Sequence, residues 1–350
     1  MPNPAFFPAC FACIEIAQTG PGHRRTGEDF GERPDATDIP APGQEAAPSM
    51  PLVPRALAIS ALLLAALFWG AGNVANKTLL DHIGPVTALS LRCAIAALLV
   101  LPFVRREGRL PTVGGWFNSA LRLSALFAAA LLFEQLAYVW TSVTNVGFLV
   151  NTCTVMTPIL AWVFLRERVG PAVALAAGIT VLGAFMMSGA SVSVGGSVSG
   201  GFGDLLCLVS ALAYAGWMVA LGRHAMAFGR PFATMLVQFA VTAVFFLPTG
   251  FLIEAPTFAG IWAARAEILF LALFSTAGSF VLTAWAQRHV AASVAVVLVS
   301  AESLFGALGA ALVLGERLSP AGLQGAVLIL FAILLVAAPR ACSGPRVHAR

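Results

Sequence analysis

Long apolar runs separated by short polar breaks fill the chain from residue 56 onward. Each run holds about 18–25 residues, enough to cross about 30 Å of hydrocarbon at 1.5 Å per residue. The runs are continuous rather than alternating, so they predict helices and not the strands of a membrane barrel. We expect ten transmembrane helices, at 56–76, 85–104, 119–141, 144–165, 171–189, 203–222, 232–252, 267–288, 292–314 and 320–338.

The composition supports an all-α polytopic membrane protein. Of 350 residues, 59% are hydrophobic and 10% are charged, whereas an ordinary soluble domain has roughly 25% charged residues. The net charge of +4 is small and most Lys and Arg lie between the apolar runs, which argues against a nucleic-acid partner. Cys10 and Cys13 lack a second pair of ligands, so we expect no metal site and no cofactor.

The first fifty residues differ from the rest of the chain. They hold eight of the 21 prolines and seven of the 16 acidic residues, without a periodic apolar pattern. Such a segment cannot bury a core, so residues 1–50 are predicted to be a disordered tail. Translation from Met50 is an alternative. Residues 339–350 are predicted to form a short cytoplasmic tail.

Basic residues predict the orientation of the spans. With the N-terminus in the cytoplasm, twelve basic residues face the cytoplasm and three face outward, so both termini are predicted to be cytoplasmic. The three outward residues are Lys77, Arg265 and Arg317. The twelve cytoplasmic residues are Arg55, Arg105, Arg106, Arg109, Arg166, Arg168, Arg223, Arg230, Arg288, Arg340, Arg346 and Arg350.

The second half of the chain repeats the first. Five helices in each half is an odd number, so the two halves must enter the membrane from opposite sides. Segments 56–189 and 203–338 are therefore predicted to be two inverted five-helix repeats, with a site between them that opens alternately to either side. Pro85, Arg92 and Pro102 match Pro231, Gln238 and Pro248 at an offset of 146, and the Glu167–Arg168 turn matches Glu316–Arg317 at an offset of 149.

Several short motifs have a specific order and spacing. They are Phe68-Trp69-Gly70, Pro85 followed by Leu91-Arg92, Gly203-Asp204-Leu205-Leu206, Trp285-Ala286-Gln287-Arg288, and Glu302-Ser303-Leu304-Phe305 before Gly315-Glu316-Arg317-Leu318. Together they resemble the EamA-type transporters of the drug/metabolite transporter superfamily. The resemblance implies ten helices in two repeats, and export or import of small metabolites. The family usually has a proline where this chain has Ser303, so the usual cause of a kink in the ninth span is missing.

Ionisable residues inside the apolar spans are candidates for function, because a charge at the bilayer centre costs about 2.5–3.5 kcal/mol on insertion scales. Glu302 lies near the middle of the ninth span. A carboxyl group at that depth can carry a proton or bind a cation, although a neutral carboxyl hydrogen-bonded to a neighbouring helix is an equal alternative. Arg92 and Glu134 are expected at similar depths. They either hold a solute's charged group or form a structural ion pair, and the ion pair is the favoured reading.

Other polar and aromatic side chains could line a solute cavity at comparable depth. Tyr214 is the strongest of them, since an unpaired buried hydroxyl is costly. Tryptophans near helix ends are more often part of the interfacial belt. The remaining candidates for substrate binding are Asn151, Tyr138, Trp217, Gln238 and Trp285.

Enzyme chemistry finds little support in the sequence. Gly201-Phe202-Gly203-Asp204 matches the Gly-x-Gly-Asp motif of intramembrane aspartyl proteases, but the second aspartate of a catalytic pair is missing. We expect Asp204 to cap the N-terminus of the sixth helix instead. No nucleotide-binding glycine-rich loop is present, so no catalytic residue is assigned.

The sequence thus predicts a secondary transporter that works by alternating access, and favours export of a moderately apolar metabolite. A receptor or scaffold and a passive channel are the alternatives. The expected partners are a small-molecule substrate, a proton as a candidate co-substrate, and the lipid bilayer, most simply the plasma (inner) membrane. Spans five and ten are almost wholly apolar and are expected to serve as scaffold or as the contact of a homodimer.

Overall fold

A computed structural model describes residues 52–108, 114–141, 143–167, 169–187, 198–314 and 319–338. These residues form helices and contain no strand. Nine helices among them are long and apolar enough to cross a membrane, and the remaining predicted span is a shorter apolar helix of 17 residues. The predicted all-α polytopic membrane fold is confirmed. The predicted tails at 1–50 and 339–350, and the Glu316–Arg317 turn, lie outside the described residues.

Three of the ten spans contain a break, which gives thirteen α-helices, and a fourteenth short helix precedes the eighth span. In chain order the helices are α1 (Leu52–Leu79), α2 (Pro85–Val104), α3 (Gly114–Trp140), α4 (Val143–Asn151), α5 (Cys153–Leu165), α6 (Pro171–Met187), α7 (Val198–Phe228), α8 (Pro231–Glu254), α9 (Phe258–Ala263), α10 (Arg265–Phe270), α11 (Ser279–Ala286), α12 (Ala292–Val299), α13 (Glu302–Leu314) and α14 (Pro320–Ala337).

Two glutamates show that the repeats run in opposite directions. The backbone N–H groups of Val86 and Thr87, at the start of α2, donate to the Glu254 carboxylate at the end of α8, both at 2.8 Å. At the other end of the same helix pair, Glu107 accepts from the N–H groups of Phe232 and Ala233 at 3.0 and 2.9 Å. Each carboxylate satisfies N–H groups that the first turn of a helix leaves free. The equivalent helices α2 and α8 are therefore antiparallel neighbours, as inverted repeats require.

We call the end of the bundle where α1 passes into α2 the α1–α2 side, and the opposite end, where α2 passes toward α3, the α2–α3 side. Contacts between connections agree with this topology. Thr141, after α3, donates to Asp204 near the start of α7 on the α1–α2 side. Arg55, near the start of α1, donates to the carbonyl of Val336 near the end of α14 on the α2–α3 side.

Apolar packing between the repeats holds the bundle together. The most extensive helix pairs are α2 with α8, α3 with α7, and α6 with α14. The last pair is especially close, because a methyl group on Gly183 would lie 2.7 Å from the carbonyl oxygen of Gly325. Exposed leucine and phenylalanine side chains cover the outer faces of α6 and α14, including Leu175, Leu182, Phe185, Leu323, Leu330, Phe331 and Leu334. Such faces are suited to lipid.

The fourth and ninth spans, which the sequence predicted as single helices, are each interrupted. The break between α4 and α5 is at Thr152, and the break between α12 and α13 is at Ser300 and Ala301. Hydroxyl groups stabilise both breaks, since Thr152 donates to the carbonyl of Leu149 and Ser300 to that of Val297, each at 2.6 Å. Ser303 in place of proline therefore does not leave the ninth span continuous. Interrupted helices near the midplane are a recurrent site of binding in transporters.

The eighth span also departs from a regular α-helix. Residues Leu271–Gly278, between α10 and α11, form a π-helical segment. The hydroxyl of Ser279 donates to the carbonyl of Phe274 at 3.0 Å and to that of Ala65 in α1 at 3.1 Å. This irregular segment therefore packs closely on α1.

Candidate functional site

Glu302 is the first residue of α13, directly after the interruption of the ninth span. Its carboxylate Oε1 accepts a hydrogen bond of 2.9 Å from Nδ2 of Asn73 in α1. The hydroxyl of Tyr138 in α3 donates to Oδ1 of the same asparagine at 3.5 Å. A neutral amide thus holds the predicted midplane carboxylate, and a phenol orients the amide.

A second buried carboxylate faces the same region. Glu134 in α3 accepts a hydrogen bond of 2.7 Å from the hydroxyl of Tyr214 in α7. Glu134 lies within electrostatic range of Arg92 and of Glu302. The partner that the sequence required for the Tyr214 hydroxyl is therefore Glu134.

Arg92 is 95% buried, with 5% of its surface exposed. Nη1 donates to Oδ1 of Asn76 in α1 at 3.4 Å, and Nε has no hydrogen-bond partner. Among the described residues no direct ion pair joins Arg92 to Glu134. The structural ion pair that the sequence favoured is not formed here, because each group bonds to a neutral side chain instead.

A further hydrogen bond connects the two interrupted spans. Nδ2 of Asn151, at the end of α4, donates to the hydroxyl of Ser303 at 2.6 Å. Oδ1 of Asn151 accepts from Thr154 at 3.0 Å. Asn151, which the sequence assigned to a cavity, thus links the fourth and ninth spans. Its partner Ser303 directly follows Glu302 in the chain.

Trp217 and Gln238 form a separate pair. The indole N–H of Trp217 in α7 donates to Oε1 of Gln238 in α8 at 2.6 Å, and both side chains are almost fully buried. The Trp217 ring lies 6.4 Å from that of Tyr214, which connects the pair to the carboxylate region. Its other side contacts an aromatic group made of Phe127 and Phe280.

Trp285 is not brought into this region. It is half-buried at the end of α11, and its ring lies 5.0 Å from that of His289 on the α2–α3 side. No described contact links it to Glu302, Glu134 or Arg92. Its position near a helix end agrees with the interfacial alternative.

Two residues outside the set assigned to substrate binding also stand out. Asn73 is the direct partner of Glu302. Gln135 is 1% exposed, and neither its amide nitrogen nor its oxygen has a hydrogen-bond partner. A buried amide without partners is costly. The available signal for Gln135 was a polar residue in an apolar span next to Glu134.

Asp204 does not cap a helix. The helix α7 begins at Val198, six residues earlier than this aspartate, and Oδ1 of Asp204 accepts a hydrogen bond of 2.9 Å from Thr141. The expectation of an N-terminal cap was wrong, because the helix extends further toward the α1–α2 side than its apolar run. The aspartate instead ties α7 to the end of α3.

Comparison with known proteins identifies the family. The sequence profile of the EamA-like transporter family matches residues 56–189 and 201–338. An uncharacterized transporter from Archaeoglobus fulgidus is 30% identical over 288 residues, which cover 81% of this chain and 87% of that protein. The uncharacterized transporter YwfM from Bacillus subtilis is 27% identical over 290 residues, covering 80% and 93% of the two chains.

A solved structure of a protein with no stated activity has the same fold. It aligns with a TM-score of 0.66 at 16% identity and covers 79% of this chain and 95% of that one. At that level of identity the likeness concerns the fold alone. The two matched halves and the relatives lead to one conclusion: this chain is an integral membrane protein that belongs to the EamA-like transporter family.

Proposed function

We propose that this membrane transporter carries a small solute by alternating access between two repeats, at 56–189 and 203–338, and that the solute binds around Glu302 and Glu134. Arg92, Tyr138, Asn151 and Tyr214 complete the site. Trp217 and its hydrogen-bond partner Gln238 form one wall of the site, and we place Trp285 outside it.

One observation carries this proposal. Three polar contacts in the bundle interior each join one repeat to the other: Asn73 to Glu302, Glu134 to Tyr214, and Asn151 to Ser303. Polar groups inside a membrane protein concentrate where substrates and ions pass. A site made of such contacts between repeats must change whenever the repeats move relative to each other, which is what alternating access requires.

The chemistry of the site favours a solute that combines polar groups with apolar surface. Two carboxylates and one guanidinium offer hydrogen bonds and charge, while Trp217, Phe127, Phe239 and Phe280 supply an apolar wall. Glu302 is the candidate for carrying a proton, because a neutral amide holds it rather than a cation. We propose export, with proton exchange as the coupling.

The basic residues support a placement with both termini in the cytoplasm, so that the α2–α3 side is the cytoplasmic one. The plasma (inner) membrane is the simplest location. The helices α6 and α14 are proposed as scaffold or as the contact of a homodimer, because they pack on each other and carry no candidate site residue.

Flux in reconstituted vesicles tests the proposed function. Purified protein would be placed in liposomes, and uptake of labelled amino acids, nucleosides and amphipathic cations compared with uptake by protein-free liposomes. We expect saturable flux of at least one class. Specific binding without flux of any class would favour a receptor. Flux that does not saturate would favour a channel.

A further inference from the structure

The closest helix contact at the proposed site is the crossing of α1 and α13. Gly70 in α1 lies directly against the first turns of α13. A methyl group on Gly70 would come within 2.7 Å of both the carbonyl oxygen of Glu302 and the nitrogen of Gly306, and within 2.8 Å of Cβ of Phe305. The two backbones therefore touch with no room for any side chain.

The same crossing holds the Glu302 carboxylate. Asn73 lies three residues after Gly70, which is about 4.5 Å along the helix axis. Its amide donates to Glu302 at 2.9 Å. From this contact α1 and α13 both continue toward the α1–α2 side, so Asn73 and Gly306 lie nearer to that side than Gly70 and Glu302 do.

The equivalent crossing in the other repeat is looser. The offset of 146 that relates Pro85 to Pro231 also relates Gly70 to Gly216 in α7. A methyl group on Gly216 would meet only Leu126 of α3, at 3.7 and 3.9 Å, which is ordinary van der Waals contact. No atom of α5, the counterpart of α13, lies within 4 Å of it. The close approach at Gly70 thus has no equivalent at Gly216.

We propose that the α1–α13 crossing is the gate that closes the substrate site on the α1–α2 side, and that Asn73 is the positioning residue that ties this gate to Glu302. The inference rests on the proposed function. A solute that binds the Glu302 carboxylate competes with the Asn73 amide, and protonation of the carboxylate weakens the same hydrogen bond because the acceptor loses its charge. Occupancy therefore weakens the hydrogen bond that helps to hold α1 against α13, so binding and gate opening are linked.

Cys153 provides a native reporter for the gate. It begins α5, is half-buried, and lies within electrostatic range of both Glu302 and Glu134. A reporter protein would keep this cysteine and replace Cys10, Cys13 and Cys342 by serine and Cys93 and Cys207 by alanine. A membrane-impermeant maleimide would then be applied to vesicles of either orientation, so that labelling from each side is measured separately.

The glycine pair gives a matched comparison. Gly70→Ala prevents the closed crossing, so we expect labelling of Cys153 from the α1–α2 side to rise about ten-fold while labelling from the opposite side falls. Gly216→Ala adds the same methyl group where there is room, so we expect little change from either side. Equal effects of the two variants, or unchanged labelling in a folded Gly70→Ala protein, would overturn the proposal.

If Gly70→Ala does not fold, Asn73→Ala tests the proposal in its place. It removes the hydrogen bond to Glu302 without any overlap, and we expect the same one-sided rise in labelling. Asn118→Ala, at an exposed position near the start of α3, is the control for loss of an asparagine. A merely structural role of Asn73 predicts increased labelling from both sides at once, which would contradict a gate.

Labelling requires no transported solute, so the two proposals can fail separately. One-sided labelling in vesicles that transport none of the probes would support the gate and count against the proposed transport. Flux that depends on Glu302, together with labelling that does not respond to Gly70→Ala or Asn73→Ala, would reject the gate alone.

Discussion

The two repeats share a frame but differ in chemistry, and α2 and α8 show this most clearly. Both helices begin with a proline, at Pro85 and Pro231, and each receives a glutamate from the end of the other. At the equivalent position within them, α2 carries Arg92 with an unpartnered Nε, while α8 carries the fully buried Gln238.

The polar groups of Gln238 are satisfied locally. Its oxygen accepts from Trp217 at 2.6 Å and its nitrogen donates to the carbonyl of Thr234 at 3.3 Å. In the second repeat this position is therefore filled by a neutral side chain with satisfied hydrogen bonds, whereas in the first repeat it holds a cation of the proposed site. Symmetry of the frame does not require symmetry of the binding chemistry.

The largest loss of stability is expected from a substitution that gives the second repeat the arginine of the first. Gln238→Arg places a charge among neutral partners and removes the acceptor of the Trp217 N–H, so it should lower the free energy of unfolding by about 3 kcal/mol or more. Thermal unfolding in detergent measures this. Gln238→Leu, which adds no charge, should cost less. Equal costs of the two substitutions would show that the position does not discriminate against charge.

The glutamates at the two ends of the α2–α8 pair should give intermediate and similar effects. Glu254→Gln and Glu107→Gln each weaken two hydrogen bonds to a helix N-terminus, at a cost of about 2 kcal/mol. Since the two sites are at opposite ends of the helices, their costs should add in the double variant. Glu267→Gln is the control, because Oε2 of this half-buried glutamate has no partner. A large cost at only one end would contradict a symmetric frame.

The smallest loss of stability is expected from Trp217→Phe. This change keeps an aromatic ring against Phe127 and Phe280 but removes the N–H donor to Gln238, at a cost of about 1 kcal/mol. The unfolding midpoint should fall by a few degrees. The double variant Trp217→Phe with Gln238→Leu should recover part of this loss, because no buried acceptor is then left unpaired. Additive losses would mean that the two side chains do not act as a pair.

The helical frame was predictable because length and hydrophobicity determine it. Continuous apolar runs predicted the spans, and the offset between Pro85 and Pro231 predicted the repeat. A nearly equal offset of 147 relates Glu107 to Glu254, so their reciprocal capping was open to prediction. Predicting this capping also requires knowing that α2 and α8 are neighbours in the fold. The spacing of residues along the chain does not give that information.

The depth of the site residues in the membrane was predictable from the sequence, but the direction in which each side chain points was not. Counting residues placed Arg92 and Glu134 at similar depths, yet the rotation of each helix determines which partner a side chain meets, and the two bond to Asn76 and Tyr214. The breaks at Thr152 and at Ser300–Ala301 were missed because hydroxyl groups rather than proline stabilise them. Local hydrogen bonds of this kind leave no distinct sequence signal.

The central claim is that solute passes through a site containing Glu302, and one measurement tests it most directly. Glu302→Gln removes the titratable carboxylate but keeps a side chain of the same shape, and its flux in proteoliposomes would be compared with that of the parent protein between pH 5.5 and 8, roughly the range over which buried carboxyls titrate. Glu167→Gln, on the connection between α5 and α6, is the control. We expect flux to fall about ten-fold or more and to lose its dependence on pH in Glu302→Gln alone. Full flux with unchanged pH dependence in Glu302→Gln would contradict the account.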